Sequence, residues 1–316
     1  MKILFMGTPD FAATILNQLI QSGHEIIGVV TQPDKQKGRG RTLSCSPVKE
    51  LAVEHGLDIY QPVKVKEADF LQKLTELEPD VIAVAAFGQI LPKALLEIPK
   101  YGCINVHASL LPKYRGAAPI QYSIIDGEKE TGITIMYMDV GIDTGDIIMQ
   151  EALTIAPDET GGSLFEKMSV LGGELLVKAL VEIENGTAHR TPQDNENATS
   201  VKMIDKDMGH IDFTQSAVKI ERLIRGLNPW PSAYTYLDGK TLKLWNASVE
   251  SLYEIQGGTK NYIPGEVVEV RRDALVVMTG EDMLVIKELQ LEGKKRMSAD
   301  AFLRGYSVQI GTKLGG

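Results

Sequence analysis

Cysteine and histidine are scarce in this chain, and neither occurs at a spacing that binds metal. Only two of the 316 residues are cysteines, far below the density of a secreted disulfide scaffold, and Cys45 and Cys103 form no CxxC pair. The five histidines show no HxH or HxxxH spacing. We therefore expect no metal site and interpret both cysteines as small buried or half-buried residues.

Long apolar runs are also absent. No run reaches the roughly 18 residues that a membrane-spanning helix requires, and the first apolar strand begins at Lys2 with no basic and apolar leader before it. We expect a cytoplasmic protein with no membrane partner. The net charge of −9 argues against indiscriminate nucleic-acid binding, although the nearly neutral last third of the chain can carry a local basic face.

Strand and helix patterns alternate through the first 200 residues or so. Runs that predict strands lie at residues 2–8, 25–33, 57–60, 79–88, 102–108 and 131–138. Helices are predicted between them, one capped by Asp10 and one opened by Ser46-Pro47. This order predicts an α/β fold with a doubly wound, mostly parallel, Rossmann-like sheet, whose ligand site lies beyond the carboxyl ends of the strands.

A second domain is predicted after a polar stretch that ends near residue 200. Short strand patterns broken by Gly, Asp and Pro follow it, as in "GEVVEVRR" and "MLVIKELQL", and they suggest a small antiparallel barrel or sandwich. We place the boundary so that residues 1–203 form the catalytic domain and residues 204–316 the second domain.

Polar residues interrupt the end of the fifth predicted strand. Asn105 and His107, two apart, would project to the same side of the sheet. Asp143 lies in a glycine-containing loop that could fold over that strand end and meet His107. Asn and His can donate hydrogen bonds to an oxyanion, and Asp can move a proton.

The residue types also limit the chemistry. No serine or cysteine has an evident base beside it, which favours direct attack by a substrate nucleophile, as in acyl-type transfer to an amine. A nicotinamide oxidoreductase is a weaker alternative, because "MGTPDF" places Pro9 where the GxGxxG turn needs glycine flexibility.

Motifs in both halves resemble those of bacterial methionyl-tRNA formyltransferases, from residue 2 to about residue 305. The matching segments are "GTPDF", "TQPDKQKGRGR", "SPVK", "AAFGQILP", "NVHASLLPKYRGAAPI", "GIDTGDI", "RGLNPWPSAYT" and "GKKRMSADAFLRG". The resemblance implies 10-formyltetrahydrofolate as co-substrate, no metal, and Asn105, His107 and Asp143 as the catalytic residues. It also implies folate-binding positions at Ser109, Leu110, Leu111, Pro112, Phe87, Gly88, Gln89 and Ile90.

A basic loop after the second strand bears on the acceptor, because it opens at the active-site edge of the predicted sheet. The resemblance implies that initiator methionyl-tRNA is the partner, that the second domain is an oligonucleotide-binding (OB) type barrel, and that the protein is a monomer. The tRNA contacts we predict are Lys35, Lys37, Arg39, Arg41 and Arg304.

Two alternatives stay open. A formyltransferase for a small amine, such as a sugar nucleotide or purine precursor, would share the catalytic residues but should not need the basic loop or the second domain. A non-catalytic RNA-binding protein would leave Asn105, His107 and Asp143 without a common role.

Overall fold

The computed structural model describes residues 1–37, 42–252 and 262–315 of the chain. It contains two compact units, the first made of residues 1–119, 130–154 and 165–201, and the second of residues 120–129, 155–164 and 202–316. The domain boundary at residue 203 stays a prediction. Among the helices in these described ranges, none combines the length and the apolar character needed to cross a membrane.

The first unit contains a strand at each of the six predicted runs, together with five strands that were not predicted. Its strands are β1 (Lys2–Gly7), β2 (Glu25–Val30), β3 (Lys35–Lys37), β4 (Thr42–Ser44), β5 (Ile59–Tyr60), β6 (Val81–Ala85), β7 (Cys103–His107), β8 (Arg115–Gly116), β9 (Glu130–Tyr137), β10 (Ile147–Thr154) and β11 (Ser200–Val201). The helices that precede residue 201 in the chain are α1 (Asp10–Gln21), α2 (Pro47–Glu54), α3 (Ala68–Leu77), α4 (Lys93–Leu96), α5 (Pro119–Ile125) and α6 (Gly161–Asn185).

Seven strands form one sheet in the order β10-β9-β7-β6-β1-β2-β5. The five strands from β7 to β5 are parallel, which confirms the mostly parallel sheet. β9 runs antiparallel to β7, and β10 antiparallel to β9. The central strands β1 and β6 are apolar and buried because helices cover both faces of such a sheet.

Two helix starts were predicted from capping residues, with different outcomes. Ser46 caps α2 and accepts a hydrogen bond from the backbone N–H of Lys49, with Pro47 in the first turn, as expected. The predicted cap at Asp10 is wrong, because Pro9 occupies the N-cap position of α1. Asp10 lies in the first turn instead, where its negative charge interacts favourably with the helix dipole.

The second unit contains an antiparallel sheet in the order β12-β13-β16-β15-β14, with β17 paired to β16. β12 lies within a segment that the sequence analysis did not predict to be a strand. The OB-type barrel remains a prediction. The elements are α7 (Ala217–Gly226), β12 (Ala233–Leu237), β13 (Lys240–Glu250), β14 (Val267–Val270), β15 (Leu275–Met278), β16 (Met283–Leu291), β17 (Met297–Ser298) and α8 (Ala299–Leu303).

Candidate active site

Two polar side chains lie at the carboxyl end of β7. Asn105 and His107 share one side of the sheet because side chains alternate along a strand, while Ile104 and Val106 between and beside them are buried. Asn105 is half-buried, and no described residue hydrogen-bonds to its amide. The amide is therefore available to donate hydrogen bonds to a ligand.

His107 is buried, and both of its ring nitrogens face protein groups. Nε2 lies 2.9 Å from the carbonyl oxygen of Tyr114, and because a carbonyl can only accept, Nε2 carries the proton. Nδ1 lies 3.6 Å from Oδ2 of Asp143, as the sequence analysis expected for these two residues. In this orientation the ring turns neither nitrogen toward open space, so Asn105 is the side chain of the pair with a free donor.

Asp143 occupies the loop between β9 and β10 with its carboxylate held in place. Its backbone is left-handed, with φ of 54°, a conformation that Asp tolerates better than most residues. Oδ2 accepts a hydrogen bond of 2.8 Å from the backbone N–H of Gly116. Gly116 itself has φ of 111°, and a Cβ there would lie 2.2 Å from the carbonyl oxygen of Val201, so only glycine fits.

The segment after β7 is fixed by hydrogen bonds to the neighbouring strands. The Thr134 hydroxyl donates to the Ser109 carbonyl at 2.6 Å and accepts from the Leu111 N–H at 3.1 Å. The side-chain amide of Gln150 donates to the Leu111 carbonyl at 2.9 Å. Ser109 uses its own hydroxyl to donate to the Lys113 carbonyl at 2.6 Å.

These contacts limit which groups of the predicted folate-binding segment, residues 109–112, are available to a ligand. Ser109 and Leu111 are buried, and their polar groups are largely engaged within the protein. Leu110 and Pro112 are partly exposed. A ligand at this segment would therefore contact mainly the apolar surfaces of Leu110 and Pro112.

The second predicted folate segment follows β6 at the same edge of the sheet. Phe87 is buried, and its carbonyl accepts hydrogen bonds from the side chains of Thr8 at 3.1 Å and Gln32 at 3.2 Å, which follow β1 and β2. Loops after three parallel strands thus meet here, as expected for a site beyond the carboxyl ends of the strands.

The other residues of that segment, 88–90, differ in how accessible they are to a ligand. The Gln89 side chain bonds to the backbone of Val63 and Val65, so it braces the neighbouring loop. Ile90 is 77% exposed, and Gly88 has φ of 83° with nearly empty space where a side chain would be. Gly88 and Ile90 are therefore the members of this segment that a ligand could reach.

The predicted tRNA contacts are only partly described. Lys35 is exposed at the start of β3, and β3, which ends at Lys37, pairs with β4, so the predicted loop contains two short strands. Arg39 and Arg41 lie outside the described residues. Arg304 is 67% exposed on α8 of the second unit and pairs with Asp300.

Sequence reasoning missed the groups that hold His107 and Asp143. These are the Tyr114 carbonyl, the Gly116 N–H and the side chain of Gln193, which donates hydrogen bonds to the Asp143 loop. No residue spacing identifies a backbone group as a partner for a distant side chain. The polar residues Tyr114 and Arg115 inside the recognised motif were the available signal, and the sequence left open whether they hold the loop or contact a substrate.

Two protein-family models match this chain. Residues 1–180 match the family model described as "Formyl transferase", and residues 203–307 match the one described as "Formyl transferase, C-terminal domain". A mostly parallel sheet with these polar groups at one edge, followed by an antiparallel sheet, is therefore a two-domain formyl transferase.

Relatives named methionyl-tRNA formyltransferase match the whole chain. The one from Agathobacter rectalis is 53% identical over 99% of this chain and 99% of its own length. Those from Lachnospira eligens and Clostridioides difficile are 51% and 49% identical over 100% of both chains. The chain belongs to the methionyl-tRNA formyltransferase family.

Solved structures share the fold at lower sequence identity. WlaRD, described as a sugar 3N-formyl transferase, has a TM-score of 0.66 at 21% identity, covering 93% of this chain and 99% of that one. HypX from Aquifex aeolicus, solved with tetrahydrofolic acid, has a TM-score of 0.63 at 19% identity, covering 99% of this chain and 50% of that one. These similarities show the fold.

Proposed function

We propose that this chain transfers the formyl group of 10-formyltetrahydrofolate to the α-amino group of methionine on initiator methionyl-tRNA. The product would be the N-formylmethionyl-tRNA that begins translation in the cytoplasm. The observation that carries the proposal is the full-length identity of 53% and 51% to relatives named for this activity. We expect the protein to act as a monomer.

The proposed reaction needs groups that handle one oxyanion and one proton. The amine attacks the formyl carbon, negative charge develops on the formyl oxygen, and the bond from that carbon to folate N10 breaks. Asn105 donates hydrogen bonds to the oxyanion with its free amide. Asp143 takes the proton from the attacking amine, directly or through water, and passes a proton on to N10, which leaves as the N–H of tetrahydrofolate.

His107 has a supporting part in this proposal. Its Nε2 donates to the Tyr114 carbonyl and its Nδ1 faces the Asp143 carboxylate, so the ring can attract and orient that carboxylate only as an imidazolium, with a proton on both nitrogens. When protonated, the imidazolium also places positive charge beside the developing oxyanion. This assignment leaves the direct hydrogen bond to the oxyanion with Asn105.

Folate binding would use the open surfaces of the two segments that follow β6 and β7. Leu110, Pro112 and Ile90 offer apolar surface, and Gly88 lets the backbone approach closely. This combination suits a flat heterocycle that needs apolar walls and a few backbone contacts.

Selection of tRNA would use the lysines and arginines of the loop after β2, together with Arg304. Lys35 is exposed and can contact phosphates. Arg304 has an acidic neighbour, Asp300, so part of its charge is already compensated, and we expect its contribution to be smaller than that of the loop.

The test of the proposal is an acceptor competition with 10-formyltetrahydrofolate as donor. We expect transfer to charged initiator tRNA to exceed transfer to charged elongator tRNA and to free methionine. Equal transfer to free methionine would favour the small-amine alternative. Binding of RNA without transfer to any acceptor would favour the non-catalytic alternative.

Site variants extend the same test. Removing one oxyanion donor costs about 10²–10³ in kcat in other enzymes, so Asn105→Ala should lower kcat by that order. Its unfolding temperature and RNA affinity should stay near those of the wild type, because no described residue depends on the amide. The control is Asn17→Ala on α1, which should keep full activity. Normal activity in Asn105→Ala would remove Asn105 from the mechanism.

A further inference from the structure

Residues 187–201 follow α6 and lie along the edge of the site. Thr191 and Ile147 exchange two backbone hydrogen bonds, of 2.8 and 2.9 Å. The Arg190 guanidinium stacks 3.6 Å above the ring of Tyr137, the last residue of β9. This segment, which in sequence reads as a polar connection, is therefore attached to both strands that flank the Asp143 loop.

The same segment is attached to the other side of the site. β11 pairs in parallel with β8, which contains Arg115 and Gly116. Thr199 accepts a hydrogen bond of 2.8 Å from the N–H of Tyr114 through its hydroxyl, and its carbonyl accepts one of 2.9 Å from the N–H of Arg115. Residues 187–201 thus bridge the two loops that meet at His107.

Gln193 lies at the centre of this bridge. Its side-chain amide donates one hydrogen bond to the Asp143 carbonyl at 2.9 Å and one to the Gly145 carbonyl at 2.8 Å. Its Oε1 accepts from Nε and Nη2 of Arg115 at 3.1 and 2.8 Å. Both donors and both acceptor positions of the amide are therefore used.

The partners fix the direction of the amide. A guanidinium can only donate and a carbonyl can only accept, so the Gln193 oxygen must face Arg115 and its nitrogen must face the Asp143 loop. Nη2 of Arg115 also donates to Asn195 Oδ1 at 2.7 Å. Only one orientation of the Gln193 amide satisfies all of these hydrogen bonds. In that orientation Gln193, which lies outside the Asp143 loop, holds the backbone at Asp143.

We infer that Gln193, oriented by Arg115, is a positioning residue that holds Asp143 where its carboxylate meets the Gly116 N–H and faces His107. The inference rests on the proposed function, in which Asp143 moves the proton. Gly116 fixes the carboxylate and Gln193 fixes the backbone that carries it. Since Arg115 lies between Tyr114, which holds His107, and Gly116, this one amide sets the spacing of both catalytic groups.

The decisive variant is Gln193→Glu, which keeps the size of the side chain and the contact with Arg115. It replaces the two N–H donors with an oxygen that faces two carbonyl oxygens, so the Asp143 loop should move. Displacement of a catalytic group by about 1 Å can cost 10²-fold in rate. We expect kcat to fall about ten- to hundredfold, with the KM of both substrates and the unfolding temperature close to wild type.

The matched control is Gln18→Glu. Gln18 also donates its amide to a backbone carbonyl, that of Val170, at 2.9 Å, but it lies on α1. We expect wild-type kinetics from this variant. An equal loss of kcat in both variants, or a wild-type kcat in Gln193→Glu, would overturn the inference.

A second measurement does not depend on turnover. In Gln193→Glu, amide hydrogen exchange of residues 139–146 should be faster than in the wild type, while exchange in β1 and β6 stays unchanged. Unchanged exchange at 139–146 would overturn the inference even if the rate fell. If the wild type itself transfers no formyl group, the proposed function fails, whereas the exchange result still decides whether Gln193 holds the loop.

Discussion

Replacement of Thr134 by valine should loosen the segment after β7 without changing the shape of the core. Thr134 is completely buried on β9. Its hydroxyl donates a hydrogen bond to the Ser109 carbonyl and accepts hydrogen bonds from the Leu111 N–H and the side-chain amide of Gln150. Valine has the same size, so the substitution removes three hydrogen bonds and leaves no cavity.

The expected cost follows from the groups that lose their partner. The Ser109 carbonyl and the Leu111 N–H become buried and unpaired, at about 1–3 kcal/mol each, while Gln150 keeps its bond to the Leu111 carbonyl. The additional buried methyl group returns about 0.8 kcal/mol. The free energy of unfolding should therefore fall by about 3 kcal/mol, a large part of the 5–15 kcal/mol typical of a folded protein.

Urea unfolding followed by far-UV circular dichroism would measure this loss. Both tryptophans, Trp230 and Trp245, lie in the second unit, so fluorescence would report on the wrong part of the chain. The control is Thr131→Val, on the same strand and also buried, whose hydroxyl bonds to none of the described residues. If Thr134→Val unfolds at the same urea concentration as this control, the hydrogen-bond argument is wrong.

Two further predictions concern titratable groups. Hydrogen bonds from Lys49 and Gln61 lower the pKa of Asp34 below its usual 3.8, so the ion pair stabilises the folded state above that pH and its contribution is lost as the pH falls through the lowered pKa. Lys49→Met should therefore unfold at a lower temperature than wild type at neutral pH, and the difference in scanning calorimetry should narrow in acid to the part that comes from the lost Lys49–Gln61 hydrogen bond; a difference that does not narrow would contradict this. Cys103 is buried as expected, whereas Cys45 is exposed and the expectation for it is wrong. Burial raises the pKa of the Cys103 thiol to about 12, so a thiol reagent should modify only Cys45 in the folded protein and both cysteines after unfolding; two rapid modifications in the folded protein would show that Cys103 is accessible.

The parts of the fold that could be predicted from the sequence are those that local residue patterns determine. The buried run at 81–85 and the alternation at Asn105 and His107 specify strands and the side on which each residue projects. The local residue pattern does not determine the direction of β9, because side chains alternate with the same period in parallel and antiparallel strands. Its reversal relative to β7 depends on how the chain crosses the sheet.

The groups that surround the proposed catalytic side chains could not be predicted from the sequence for a related reason. Gln193 is 50 residues from Asp143 and 78 from Arg115 along the chain, and its neighbours Pro192 and Asp194 are typical turn residues. Such a composition fits a free connection as well as a segment attached to a site. Only tertiary hydrogen bonds distinguish the two.

The position of residues 187–201 affects how this enzyme can be divided. The "Formyl transferase" family model ends at residue 180 and the C-terminal model begins at residue 203, so the segment belongs to neither. A fragment cut at residue 180 would retain Asn105, His107 and Asp143 but would lose Gln193 and Thr199, which hold the loops around them. In a chimera with a related formyl transferase, this connecting segment should therefore come from the same parent as the loops that contain Asp143 and Gly116.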